Sequence, residues 1–166
     1  MKTMRNFLVS LLLLTLFAVP ATSFAQDENE DQTAENIEDA SAVKKAVEDF
    51  LLALGNGELE KVRTMFLPYA NIASVSRTTG KIFTMTAEQY ISDREAKEGR
   101  KFKEPVREYS VNISQGALAF VRADATVFYD GKASHHTNDF FVLMKDNGVW
   151  KILSGSYTSQ PLDEDN

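Results

Sequence analysis

Residues 106–158 read VREYSVNISQGALAFVRADATVFYDGKASHHTNDFFVLMKDNGVWKILSGSYT, and this stretch decides the fold. Turn residues interrupt it at Gln115-Gly116, Asp130-Gly131 and Asp146-Asn147-Gly148. Such residues accept the positive φ that tight hairpin turns require. The segments between them read as four long strands, Val106 to Ser114, Ala117 to Tyr129, Ala133 to Lys145 and Val149 to Thr158. Links this short make the strands antiparallel neighbours in a meander.

Alternation assigns the faces. Ala119, Val121, Ala123, Ala125 and Val127 share one side of the second strand, whereas Leu118, Phe120, Arg122, Asp124, Thr126 and Phe128 share the other. In the third strand Phe141 and Leu143 oppose Phe140, Val142 and Met144. Both faces are partly apolar although helices cover one. The outer face is therefore expected to meet a second copy of the chain in a homodimer.

Upstream, Ala40, Val43, Val47, Phe50, Leu51 and Leu54 recur at three- and four-residue steps, one apolar face of a helix. Asp39 reads as its N-cap and Gly55-Asn56-Gly57 as its stop. A short second helix buries Leu59, Val62 and Phe66 and ends at Pro68. Ile72 to Val75 and Lys81 to Met85 read as two short strands around Thr78-Thr79-Gly80. Thr86-Ala87-Glu88-Gln89 is a capping box that opens a third helix running to Gly99. Arg94, Lys97, Arg100, Lys101 and Lys103 then form a basic patch, most simply a solvated helix end, with an anion-binding role as the alternative.

The ends of the chain have their own chemistry. Met1 to Ala25 combines Lys2 and Arg5, an apolar core from Phe7 to Val19, and a small-x-small site at Ser23-Phe24-Ala25. That is the pattern of a cleaved signal peptide, with a core short of the roughly 20 residues that span a bilayer. The expected compartment is periplasmic or secreted, with no membrane attachment after cleavage. Residues 26–39 carry seven acids and no base and are expected to be a disordered acidic spacer; residues 162–166 form an acidic tail. The net charge of −6 therefore belongs to the ends, and residues 40–161 form a nearly neutral domain. Such a balance argues against a nucleic-acid partner. With no cysteine, an ordinary core must supply stability.

The order of helices and strands resembles the nuclear transport factor two-like superfamily, closest to its bacterial "putative lumazine-binding" and SnoaL-like groups. The matching stretches are VEDFLLALGNGELEKVRTMFLPYA, GKIFTMTAEQYI, VNISQGALAFVRADATVFYDG and TNDFFVLMKDNGVWKILSGSY, spanning about Ala40 to Pro161. The resemblance implies an α+β fold: a cone-shaped curved antiparallel sheet with about three helices packed on its concave face. It also implies that Asp139, Phe141 and Leu143 point into the cone, where alternation adds His135 and Thr137. A carboxylate held in an apolar pocket has a raised pKa and can act as a general acid or base.

The leading expectation is an exported domain that binds an unknown small molecule in a mostly apolar pocket. The alternatives are an isomerase, dehydratase or cyclase using Asp139 as general acid/base with His135, and a protein-interaction module. Tyr90, Thr137, Phe141, Tyr129, Trp150 and Tyr157 are the candidate ligand contacts. His135 and His136 point to opposite faces and are the only histidines, so no metal site is expected. No phosphate-cradling loop or dinucleotide fingerprint is present, and no cofactor is expected.

Overall fold

A computed structural model describes residues 25–75, 79–96 and 100–162, with side chains of the first helix described from Ile37 onward. The expected signal peptide (1–24 of its 25 residues), residues 76–78 including the first residue of the expected turn, the expected end of the third helix (97–99) and tail residues 163–166 lie outside the described residues. The element order is α1 (Ala25–Asn56), α2 (Leu59–Met65), β1 (Phe66–Val75), β2 (Ile82–Thr86), α3 (Ala87–Ala96), β3 (Val106–Ser114), β4 (Leu118–Tyr129), β5 (Lys132–Asp146) and β6 (Val149–Gln160).

All six strands form one sheet in the order β2-β1-β6-β5-β4-β3. Gln115-Gly116, Asp130-Gly131 and Asn147-Gly148 all have positive φ, as type I′ hairpin turns demand, and they join β3, β4, β5 and β6 into the expected meander. β1 adds to the other side of β6 in parallel, and β2 pairs antiparallel with β1. The sheet is therefore open, with β2 and β3 at separate edges, and does not close or curl into the cone that the resemblance implied. The reason is topological. A meander plus a parallel addition extends a sheet outwards, and closure would require β2 to pair with β3.

The three helices cover one face of this sheet. α1 supplies Val43, Val47, Phe50, Leu51 and Leu54, which pack with Ala119, Val121 and Ala123 of β4 and Phe141 and Leu143 of β5. Asp39 does not cap α1, because the helix continues through it. It is 6 % exposed, and Lys145 Nζ donates to its Oδ1 at 2.6 Å. The end of α1 behaves as its glycines require. Gly57 has φ 77°, its N–H donates to Leu54 O at 3.1 Å, and the Glu58 N–H donates to Ala53 O at 2.9 Å. The capping box at α3 is reciprocal: the Gln89 N–H donates to Thr86 Oγ1 at 3.1 Å, and the Thr86 N–H donates to Gln89 Oε1 at 2.9 Å. No helix among the described residues is long and apolar enough to cross a membrane.

Candidate functional site

Between the helices and the sheet lies a cavity of about 160 Å³. Its sheet wall follows from alternation along β5, which turns His135, Thr137, Asp139 and Phe141 inward. Gly155 and Tyr157 of β6 stand opposite Phe141 and Asp139 in the ladder and line the same space. A Cβ at Gly155 would come within 3.1 Å of Ile72 and 3.6 Å of Phe141, so glycine there keeps the floor open. Phe50 and Leu54 come from α1, and Tyr90 and Arg94 from α3. Phe50 meets Phe141 edge-on, with ring centroids 5.7 Å apart.

Phe102 and Glu104 complete the wall from the segment between α3 and β3. That segment is tied down on both sides. Lys103 exchanges backbone hydrogen bonds with Phe128 at 3.0 and 2.8 Å, and the Phe102 N–H donates to Gly55 O at 3.0 Å. A Cβ at Gly55 would sit 2.4 Å from the Phe102 carbonyl oxygen, so the close approach that positions Glu104 needs glycine.

The site's electrostatic centre is a pair of acids joined by one hydroxyl. Thr137 Oγ1 lies 2.7 Å from Glu104 Oε1 and 3.1 Å from Asp139 Oδ2. A threonine hydroxyl has one proton to give, so it satisfies both groups only when one carboxyl is protonated and donates to it. Burial pushes the Asp139 carboxyl up to about 8; the neighbouring Glu104 and then Asp124 add to the shift, against the Thr137 hydrogen bond. Burial also raises Glu104, and there the Thr137 hydrogen bond and the Arg94 charge oppose it. The Thr137 hydrogen bond opposes both rises, whereas the Arg94 charge acts on Glu104, which favours the proton on Asp139. Burial raises the Tyr90 hydroxyl as well, so it stays a donor.

Of the residues singled out in the sequence, Asp139, His135, Thr137, Phe141, Tyr90, Tyr129 and Tyr157 all line this cavity. Trp150 does not. It is 7 % exposed in the core, with Lys145 Nζ 5.1 Å from its ring centroid, because its place on β6 puts it beside the Asp39–Lys145 pair. His136 faces the other way and shares a 2.9 Å hydrogen bond with Thr126. Glu104 escaped the sequence reading because it sits inside the basic run RKFKEP. Arg94 was read as part of a basic patch, most simply a solvated helix end, with anion binding as the alternative. Among the described residues no group of three or more His, Cys, Asp or Glu side chains could hold a metal ion.

No curated protein matches the sequence. Solved structures match the fold. A "Putative Scytalone Dehydratase" from Novosphingobium aromaticivorans aligns with a TM-score of 0.66 at 15 % identity, covering 81 % of this chain and 93 % of that one. An "NTF2-like protein with a cystatin-like fold" from the same organism aligns at 0.65 and 12 % identity, covering 86 % and 94 %. A "putative dehydratase from the NTF2-like family" of Streptomyces avermitilis aligns at 0.62 and 13 % identity, covering 76 % and 99 %. Identities this low establish the shared fold alone. The family described as "Putative lumazine-binding" matches residues 38–158, which carry the cavity, the acid pair and every strand's core positions. The chain belongs to this family and shares the fold of structures described as NTF2-like.

Proposed function

We propose that the chain is a general acid–base enzyme that isomerises or dehydrates a small, mostly apolar molecule. The observation that carries this reading is the Asp139–Thr137–Glu104 array in the cavity wall. Proton transfer needs an acid and a base poised near neutrality, and an acid pair sharing one proton provides both. In a dehydration the ionised carboxyl takes a proton from carbon. The protonated carboxyl gives its proton to the departing hydroxyl, a double bond forms and water leaves. In an isomerisation the abstracted proton returns at another carbon. Tyr90 and His135 face the same space and would polarise a carbonyl oxygen. The dehydratase names of two proteins sharing the fold support the same chemistry.

The test is exchange of carbon-bound hydrogen with deuterated water in a panel of small β-hydroxy and enolisable carbonyl compounds, followed by NMR. Wild-type protein should catalyse exchange or elimination on at least one compound, and Asp139→Asn should not, with an unchanged circular dichroism spectrum. Equal rates for the two proteins would reject the assignment.

Two accompanying readings belong to this proposal. The exposed Phe120 and Phe140 on the uncovered sheet face, 49 % and 48 % accessible, are the contact for a second copy. Phe120→Glu with Phe140→Glu should turn a dimer into a monomer in sedimentation experiments; a wild-type monomer rules the contact out. The export reading expects processing after Ala25, and the mass of the protein recovered from the periplasm or medium decides it.

A further inference from the structure

Arg94 lies in the last turn of α3 and lines the cavity. Its surroundings differ from those of Arg63, Arg100 and Arg122, although Arg107 too is in no ion pair among the described residues. Arg63 meets Glu60, Glu88 and Glu95; Arg100 meets Asp130, and Arg122 meets Asp124. Among the described residues Arg94 is in no such ion pair. Aromatic rings hold it instead, with its guanidinium carbon 5.9 Å from the Tyr90 centroid and 5.2 Å from the Phe102 centroid. The Tyr90 hydroxyl also interacts with Arg94, and contact with the ring faces leaves further N–H donors of the guanidinium for other partners. An oriented guanidinium on a cavity wall can bind a carboxylate through two parallel N–H···O bonds.

The cavity limits what accompanies that charge. A dry cavity of about 150 Å³ holds one benzene ring, and this one is about 160 Å³. Its floor, with Phe50, Phe141 and Ile72, is apolar.

We propose that the site takes a monocarboxylate of single-ring size, with Arg94 binding the carboxylate and the apolar body resting against Phe50 and Phe141. The acid–base reading supplies the chemistry that such a substrate would undergo; the charge preference itself is a property of binding. Arg94 also lowers the proton affinity of Glu104 through space, which keeps Glu104 the charged member of the pair.

Sodium benzoate and benzamide are probes of equal shape and different charge. The full chain should bind benzoate at least about tenfold more tightly than benzamide in a calorimetric or NMR titration, a difference of about 1.4 kcal/mol. Arg94→Gln should lose that preference, with an unchanged circular dichroism spectrum and thermal midpoint to show that the fold is intact. Arg94→Lys, with the charge but not the planar fork, should keep part of the preference. 2-Naphthoate should bind more weakly than benzoate. The proposal is overturned if benzoate binds no better than benzamide, including no binding of either at millimolar concentration, or if the preference persists in Arg94→Gln. Deuterium exchange separates this from the acid–base reading. Exchange that depends on Asp139 but shows no preference for carboxylates leaves that reading standing and removes this one. A carboxylate preference without exchange does the reverse.

Discussion

Asp39 and Asp139 are equally buried, at 6 % and 5 % exposure, and sit in different parts of the same helix–sheet interface. Asp39 is matched by a base: Lys145 donates to it at 2.6 Å, and the Lys145 ammonium also lies over Trp150. Asp139 is matched by a second acid, Glu104, through the Thr137 hydroxyl. The first arrangement compensates a charge and ties α1 to β5. The second sets two acids together with no ion pair among the described residues, only the Arg94 charge acting on Glu104 through space, and a proton satisfies the pair. Burial alone therefore says little about a carboxylate's role; the chemistry of its partner decides whether it holds the fold or moves protons.

The sharpest way to break this comparison is to neutralise each aspartate. Asp139→Asn should lower turnover by about 10² to 10⁴-fold, the usual worth of a positioned acid or base. Its thermal midpoint should stay level or rise, because one of two neighbouring acids is gone. Asp39→Ala should do the opposite. It should cost roughly 2–3 kcal/mol in a denaturant titration, since Lys145 is left partly buried without its anion, while the array at Asp139 keeps its function. If Asp139→Asn unfolds the protein and Asp39→Ala abolishes turnover alone, the two roles are reversed.

Gly55→Ala tests whether the second acid is held by backbone packing. The added methyl meets the Phe102 carbonyl, so a loss of about 1–3 kcal/mol is expected. Turnover should fall with it, because Glu104 follows Phe102 by two residues. A variant with full stability and full activity would show that the segment moves freely.

The pH dependence of stability has a sign that is opposite for a raised carboxyl and an ordinary one. Burial raises the Asp139 carboxyl from its ordinary value of 3.8 to about 8, so the folded state binds a proton that the unfolded state releases. Stability should be complete below about pH 4 with respect to this group and decline as pH rises towards 8, with a slope of at most about 1.4 kcal/mol per unit. The groups facing it are Glu104 from the loop, Thr137 and His135 from β5, Tyr90 and Arg94 from α3, Tyr157 from β6, and the more distant Asp124 and Tyr109. Glu104→Gln should move the decline to higher stability at neutral pH by removing the neighbouring charge. An unchanged profile in both Asp139→Asn and Glu104→Gln would remove the acid pair as its source.

Much of the fold was legible because it is encoded locally. Three two-residue turns with positive φ set the β3–β6 meander, and a period of two assigned Asp139, Thr137 and His135 to one face. The tyrosines of the cavity were candidates for their hydroxyls, with no face assigned to Tyr129 or Tyr157. The tertiary structure alone decided the rest. Whether the sheet closes depends on which edges meet, and the parallel pairing of β1 with β6 joins residues some 80 positions apart in sequence, with no turn chemistry to announce it. The same holds for the partners of the charged residues. Nothing near Asp39 points to Lys145, and nothing in a run of lysines and arginines points from Glu104 to Asp139. Local backbone preferences are written residue by residue, whereas a buried group's pKa and role depend on whatever the folded chain brings within a few ångströms of it.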